Sequence, residues 1–191
     1  MRLAIDSYTA TSAAGTGLSA MRESIAARRS GLRRNDLDGC DLDTWIGRVD
    51  DVEGVALPAG LEHLQSRNNQ LAWLGLNQDG FLDGVEALKA RLGTERIGIV
   101  MGTSTSSIGR TELAYTQLND DESMPDDFRQ PLVHTLHSPG IFVSAATGIT
   151  GPSMTISTAC SSSAKVFASA ARWLNQGIVD AVLVGGVDSL C

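Results

Sequence analysis

Residues 151–177 read GPSMTISTACSSSAKVFASAARWLNQG, and Cys160 is the side chain among them best suited to covalent chemistry. The β-branched and small residues of MTISTAC suit a buried strand. Beyond it Ala164, Phe167, Ala168, Ala171 and Leu174 recur at helical spacing, with Gly177 placed to end the helix. Cys160 therefore stands at a strand-to-helix corner, at or just before a helix N-terminus. Unpaired backbone N–H groups and the positive end of a helix dipole stabilise negative charge on a sulfur at that place. The same N–H groups, that of Cys160 included, can receive the oxyanion of an attacked thioester carbonyl. This is a nucleophile elbow with cysteine in place of serine. Thr158, Ala159, Ser161 and Ser162 are small enough to let a substrate reach the sulfur. The corner by itself leaves two readings open: an activated nucleophile, or a small buried hydrophobe, as most free cysteines are.

The elements that must position this corner are readable as periodicity. Arg2–Asp6 reads as a short strand, and Leu18, Met21 and Ile25 mark a helix that Gly31 is placed to stop. Residues 31–60 read as irregular chain with a short strand near Trp45–Val49. Ser66 can cap a long helix running to Gly93, with Gly75, Gly80 and Gly84 as weak points. RIGIVMGTS is a buried strand opening into a Gly/Ser/Thr-rich loop, followed by a helix over 106–118 and the acidic loop NDDESMPDDF. Pro139 suits the first turn of a helix through Ile149. DAVLVGGVDSL is a last apolar strand. Strands alternating with helices indicate an α/β class with a mostly parallel sheet.

Composition narrows the function. A net charge of −7 argues against nucleic acid as the main partner, since phosphate neutralisation needs a basic face. No apolar run reaches the roughly 18 residues of a membrane helix, and the N-terminus has no apolar core of a secretory signal. Cys40, Cys160 and Cys191 form no CxxC pair and no even-numbered framework, which fits a reduced, cytoplasmic protein. Arg28, Arg29, Arg33 and Arg34 fall within seven residues and read as solvated surface.

GPSMTISTACSSSAKVF, the trailing NQGIVDAVLVGGVDSL and the upstream RIGIVMGTSTSSIG together resemble the N-terminal half of a β-ketoacyl-ACP synthase of the thiolase superfamily. TACSSS also resembles the ketosynthase domains of polyketide synthases. At the N-terminus the usual VTG opening is replaced by AIDSYTA. The resemblance implies a thiolase-like layered α/β fold, with residues 1–191 as one half: a mostly parallel five-stranded sheet flanked by helices. The C-terminal half would be absent.

It also implies the chemistry. Cys160 matches the residue that takes an acyl group from an acyl carrier protein, before a decarboxylative Claisen condensation with malonyl-ACP in fatty acid or polyketide-type synthesis. Covalent catalysis parks the acyl group while the carrier arm is exchanged. No cofactor or metal is implied. Lys165 stands where family members often have histidine, and is a candidate for adding positive potential behind the sulfur. Acyl-pocket candidates are Ile108, Ile141 and Phe142, and Arg67 is a candidate for docking the acidic carrier. The family's two catalytic histidines and lysine belong to the other half, and His63, His134 and His137 match none of them. The isolated chain is therefore expected to be inactive in condensation. The surface of VFASAARWL, apolar or small around most of its circumference, should be covered by the missing half or a twin chain, and a homodimer is the expected assembly. Three rivals remain: a non-catalytic partner that sets chain length, an enzyme taking CoA thioesters, and an interaction module without chemistry.

Overall fold

The computed structural model describes residues 3–191. Its elements are β1 (Thr11–Ser12), β2 (Gly15–Thr16), α1 (Gly17–Ala26), β3 (Arg33–Arg34), β4 (Trp45–Ile46), α2 (Arg67–Leu76) and α3 (Phe81–Leu92). There follow β5 (Ile97–Gly102), α4 (Ile108–Tyr115), α5 (Pro131–His134), α6 (Ser138–Thr147), β6 (Ser153–Ile156), α7 (Ser162–Asn175) and β7 (Ala181–Gly186). The sheet that carries the fold is parallel, in the order β6-β5-β7, and β1–β2 and β3–β4 are separate two-residue antiparallel ribbons. The α/β class stands, but the large sheet has three strands among the described residues, not five. Of the expected strand at Arg2–Asp6, Arg2 lies outside the described residues. Among the described residues Leu3–Asp6 have no ladder partner and so form no strand; after them, Thr9 Oγ1 bonds the Gly75 carbonyl of α2 and the Asp79 carboxylate of the turn that follows.

β5 is buried along its whole length, and its alternation divides the molecule into layers. Ile97, Ile99 and Met101 join Leu76, Val85, Phe142, Val143 and Leu183 in one core, under α2, α3 and α6. Gly98, Val100 and Gly102 face the other way, toward α7: a Cβ on Gly98 would stand 3.0 Å from the Trp173 ring, and one on Gly102 3.0 Å from the Ser162 carbonyl carbon. Bare glycine backbone lets α7 lie close to the sheet, with Val166 and Ala170 buried beneath it. The opposite side of α7, including Phe167 at 52% exposure, is uncovered.

The helix expected from Ser66 to Gly93 is two helices. Asp79 and Gly80 both take left-handed backbone angles, φ +58° and +67°, and turn the chain between α2 and α3. Ser66 is the cap: its Oγ accepts the Asn69 N–H at 3.2 Å. Ser66 Oγ also bonds Ser107 Oγ at 2.8 Å, and Asn69 Nδ2 donates to Ser138 Oγ at 3.1 Å. The N-termini of α2, α4 and α6 are thus joined by buried hydroxyls. Ser66→Ala is expected to cost about 1 kcal/mol, the loss of one cap, since Ser107 Oγ keeps its bond to Ser138 Oγ at 3.4 Å; the readout is a shift in the urea midpoint at unchanged slope.

Residues 31–60 are fastened by the buried Val52 and Leu57 and by Gln70 Nε2, which donates to the Glu53 and Val55 carbonyls, and they carry a surface chain of ion pairs. Asp50, Arg33, Asp36, Arg48, Glu53 and Arg67 form one continuous ion-pair chain. Arg34 pairs with Asp43 and lies over the Trp45 ring. Of the arginines expected as solvated surface, Arg28, Arg29 and Arg34 are exposed, Arg34 with Asp43 as its partner, and Arg33 is half-buried between Asp36 and Asp50, because β3 pairs with β4 across the intervening loop. At the far end of the sheet Arg96 closes the α7–β7 turn. It forks onto Asp180 at 2.8 and 2.9 Å and donates to the Ile178 and Gly177 carbonyls. The Arg96 hydrogen bonds hold the Asp180 carboxyl below the usual carboxylate range. A depressed folded pKa gives stability that is present above the unfolded value, about 3.9, and lost as pH falls through the folded one. Asp180→Asn should therefore flatten the fall in Tm below about pH 4 and leave the slope near neutrality unchanged.

Candidate active site

The connections leaving β5 and β6 diverge. The chain after β5 passes to α4, α5 and α6, of which α6 packs on the face of Ile97, Ile99 and Met101; the chain after β6 enters α7 on the other face. In parallel sheets such a divergence opens a crevice at the carboxyl ends of the strands. Cys160 stands there, six residues before the buried Val166 of α7 and four after the end of β6.

The corner is built by its serines and by one unusual backbone angle. Ala159 has φ +52°, a left-handed conformation that an L-residue holds only when its surroundings impose it. The imposing group is Ser162, 2% exposed. Its Oγ accepts the Thr158 N–H at 2.9 Å and shares its hydrogen between the carbonyls of Ala159 at 2.7 Å and Thr103 at 3.1 Å. Ser161 Oγ bonds the Thr158 carbonyl at 2.9 Å. The N–H groups of Ser161 and Ser162 are committed to the carbonyls of Thr158 and Ala159 within the turn. With the backbone so fixed, Cys160 is exposed, and the reading of a buried structural thiol falls. The fourteen-residue α7 begins two positions later and directs its positive dipole end at the sulfur's surroundings.

The expected buried strand before the cysteine is an edge strand. Among the described residues β6 has β5 on one side only, and Ser153 and Met154 are exposed.

The other expected residues are placed apart. Lys165 is exposed on α7, in no ion pair among the described residues. Ile141 lines an open cavity of about 540 Å³ between α6 and β6, with His137, Ser144, Ala145, Ser153 and Thr155. Phe142, its neighbour, turns into the core and meets Trp73 edge to face at 6.4 Å between centroids, with no exposed surface. Ile108 opens α4, 39% exposed, and lines neither that cavity nor the one beside Arg67. Arg67 pairs with Glu53 at 2.7 Å and lines a cavity of about 160 Å³ with Leu71 and Asp188. Burial works against the Glu53 charge, but its own backbone N–H, Arg67 and Arg48 together hold its carboxyl below the usual range.

His134 is a structural residue. Its Nε2 donates to the Phe128 carbonyl at 2.6 Å, and Nδ1 lies 2.7 Å from Thr111 Oγ1. His137 and His63 are exposed. Ala159 and Ser162, expected only as small neighbours of the sulfur, also shape the corner, and Asp188 stands out in the structure alone. A serine two places after a corner cysteine, and an aspartate after GG at a strand end, were the signals available.

Residues 70–191 match the family described as β-ketoacyl synthase, N-terminal domain. The chain belongs to the β-ketoacyl synthase family. Among curated proteins nothing matches this β-ketoacyl synthase chain. A chain from the complex of a ketosynthase with its chain length factor, from Xenorhabdus doucetiae, is similar at 30% identity and a TM-score of 0.73. That likeness covers 94% of this chain and 45% of the other. A ketosynthase from module 6 of the bacillaene synthase of Bacillus subtilis 168 shares the fold, with a TM-score of 0.60 at 18% identity, over 95% of this chain and 30% of its own. The β-ketoacyl synthase chain described here thus spans less than half the length of either solved chain. Among the described residues no helix is long and apolar enough to cross a membrane.

Proposed function

We propose that this chain carries the acyl-accepting half of a 3-oxoacyl-ACP synthase, an acyltransferase of fatty acid or polyketide-type synthesis, and that Cys160 is its nucleophile. The observation that carries the reading is the exposure of Cys160 at a hydrogen-bonded strand-to-helix corner, at the carboxyl end of a parallel sheet, within the stretch that matches the family. The Cys160 thiolate attacks the thioester carbonyl of an acyl-ACP. Its backbone N–H donates to the oxyanion, and collapse expels the phosphopantetheine thiolate and leaves acyl-Cys160. Malonyl-ACP then loses CO₂, the carbanion attacks the acyl thioester, and the Cys160 thiolate leaves as 3-oxoacyl-ACP forms. No histidine of this chain matches the family's decarboxylating set, so that step is assigned to groups outside residues 1–191.

Among the acyl-pocket candidates we keep Ile141 first, since it lines an open cavity while Ile108 lines neither cavity and Phe142 is sealed in the core. Arg67 would meet a carrier carboxylate by exchanging it for Glu53. Lys165, on the exposed side of α7, would act through its charge alone. The uncovered side of α7 supports association with a second half or a twin chain in the cytoplasm. A second reading, the non-catalytic chain-length partner, is favoured by the likeness to a chain from a ketosynthase–chain length factor complex. Mass spectrometry of the Cys160 peptide after incubation with a medium-chain acyl-ACP separates the two. Acyl-Cys160 supports the synthase, and an intact, unlabelled protein supports the partner.

A further inference from the structure

We infer that Asp188 is a positioning residue for the cysteine corner, a role that rests on the proposed function of Cys160. The β5–β7 ladder ends with the Val187 N–H on the Gly102 carbonyl, and beyond it nothing in the backbone joins the two strand exits. The Asp188 carboxylate takes over there. Oδ1 accepts from Ser104 N–H at 2.7 Å and Thr103 Oγ1 at 3.0 Å, and Oδ2 accepts from Ser104 Oγ at 3.3 Å. The Ser104 N–H can only donate and the two hydroxyls donate beside it, and a carboxylate offers acceptors to all three.

The two residues that Asp188 holds are the ones that hold the corner. The Thr103 carbonyl accepts from Ser162 Oγ at 3.1 Å, and that hydroxyl in turn fixes Thr158 and the left-handed Ala159. The Ser104 carbonyl accepts from Ser157 Oγ at 3.1 Å. Asp188 is therefore linked to both flanks of Cys160, through Ser157 on the strand side and Ser162 on the helix side. Thr103 Oγ1 also accepts the Ser106 N–H at 2.8 Å, extending the same support to a second left-handed residue, Ser106 at φ +55°. Two strained residues on adjacent loops are pinned through one carboxylate. Releasing it frees the loops that aim the sulfur without touching the sulfur or the core.

The test uses the intact protein with Asp188→Ala and Asp188→Asn. In single-turnover loading from an acyl-ACP, Asp188→Ala should lower the saturating rate about five- to tenfold with half-saturation unchanged, the size expected for one lost charge-assisted bond. Asp188→Asn keeps an acceptor oxygen on Ser104 N–H and should recover most of that loss. Amide exchange at Ser104 and Thr158 should quicken in Asp188→Ala while that of β5 stays slow. Wild-type loading by Asp188→Ala, or a loss that Asn fails to rescue and that comes with faster exchange throughout β5, would overturn the inference. If the wild-type protein loads no acyl group, the synthase reading fails, and the exchange at Ser104 and Thr158 still decides on Asp188.

Discussion

Cys160→Ala is expected to reduce acyl loading from an acyl-ACP by at least about a thousandfold, to the limit of detection, while leaving the fold unchanged. Each half of that expectation has its own physical ground. Loading forms a bond to sulfur, and alanine offers no group to form it. The neighbouring hydroxyls of Ser161 and Ser162 cannot substitute: both are engaged with the carbonyls of Thr158, Ala159 and Thr103, and neither has a base beside it. The fold is spared because the thiol is exposed and packs against nothing in the core, so the change in stability should stay within about 0.5 kcal/mol. Intact-mass measurement of wild type, Cys160→Ala and Cys40→Ala, with Tm recorded for each, reads both halves at once. Label retained in Cys160→Ala would move the nucleophile elsewhere. Loss of label together with a large fall in Tm would mean that the thiol holds structure, contrary to its exposure.

The corner was legible in the sequence because local signals agree there: a β-branched strand, a small-residue turn and a helical apolar period, in an order that only one local geometry satisfies. Ile97–Gly102 was legible for the same reason, and its alternation foreshadows the two layers. What lay beyond reading is what tertiary pairing decides. Leu3 and Ile5 alternate like a strand, but a strand needs a neighbour, and among the described residues none lies beside them. MTISTAC has the composition of a buried strand and becomes an edge, since composition does not say how many neighbours a strand has. Ile141 and Phe142 are adjacent apolar residues on one helix, and only the packing of α6 decides that one lines a cavity and the other faces Trp73. Arg33 and Arg67 look alike in sequence as exposed cations. The ion-pair chain that joins them spans residues 33 to 67 and depends on how an irregular segment folds back. Ser162 and Asp188 act through side-chain to backbone bonds across 59 and 84 positions, for which no periodic pattern exists.

Gly102→Val should destabilise the protein by about 3 kcal/mol, although valine is the better strand residue by propensity. At Gly102 an added Cβ would lie 3.0 Å from the Ser162 carbonyl carbon, 3.1 Å from the Ser163 nitrogen and 3.2 Å from the Ser162 oxygen. Gly186 is nominally tighter, its added Cβ meeting Ser163 Oγ, but that atom is a hydroxyl that rotates about one bond. The atoms facing Gly102 are the backbone of the first turn of α7, and they move only if the helix moves. Gly186→Ala should accordingly be milder than Gly102→Ala despite the shorter contact, and that comparison at equal added volume distinguishes helix displacement from simple crowding. For a chain of this size each kcal/mol corresponds to roughly 2–4 °C in Tm. The displaced turn also contains Ser162, whose hydroxyl fixes Thr158 and Ala159, so Gly102→Val should lower the Cys160 loading rate beyond what the unfolded fraction accounts for. Loading measured well below Tm, where the variant is still folded, isolates that term. A Gly102→Val protein that loads at the wild-type rate there would show that the corner keeps its shape without the close seat of α7 on the sheet.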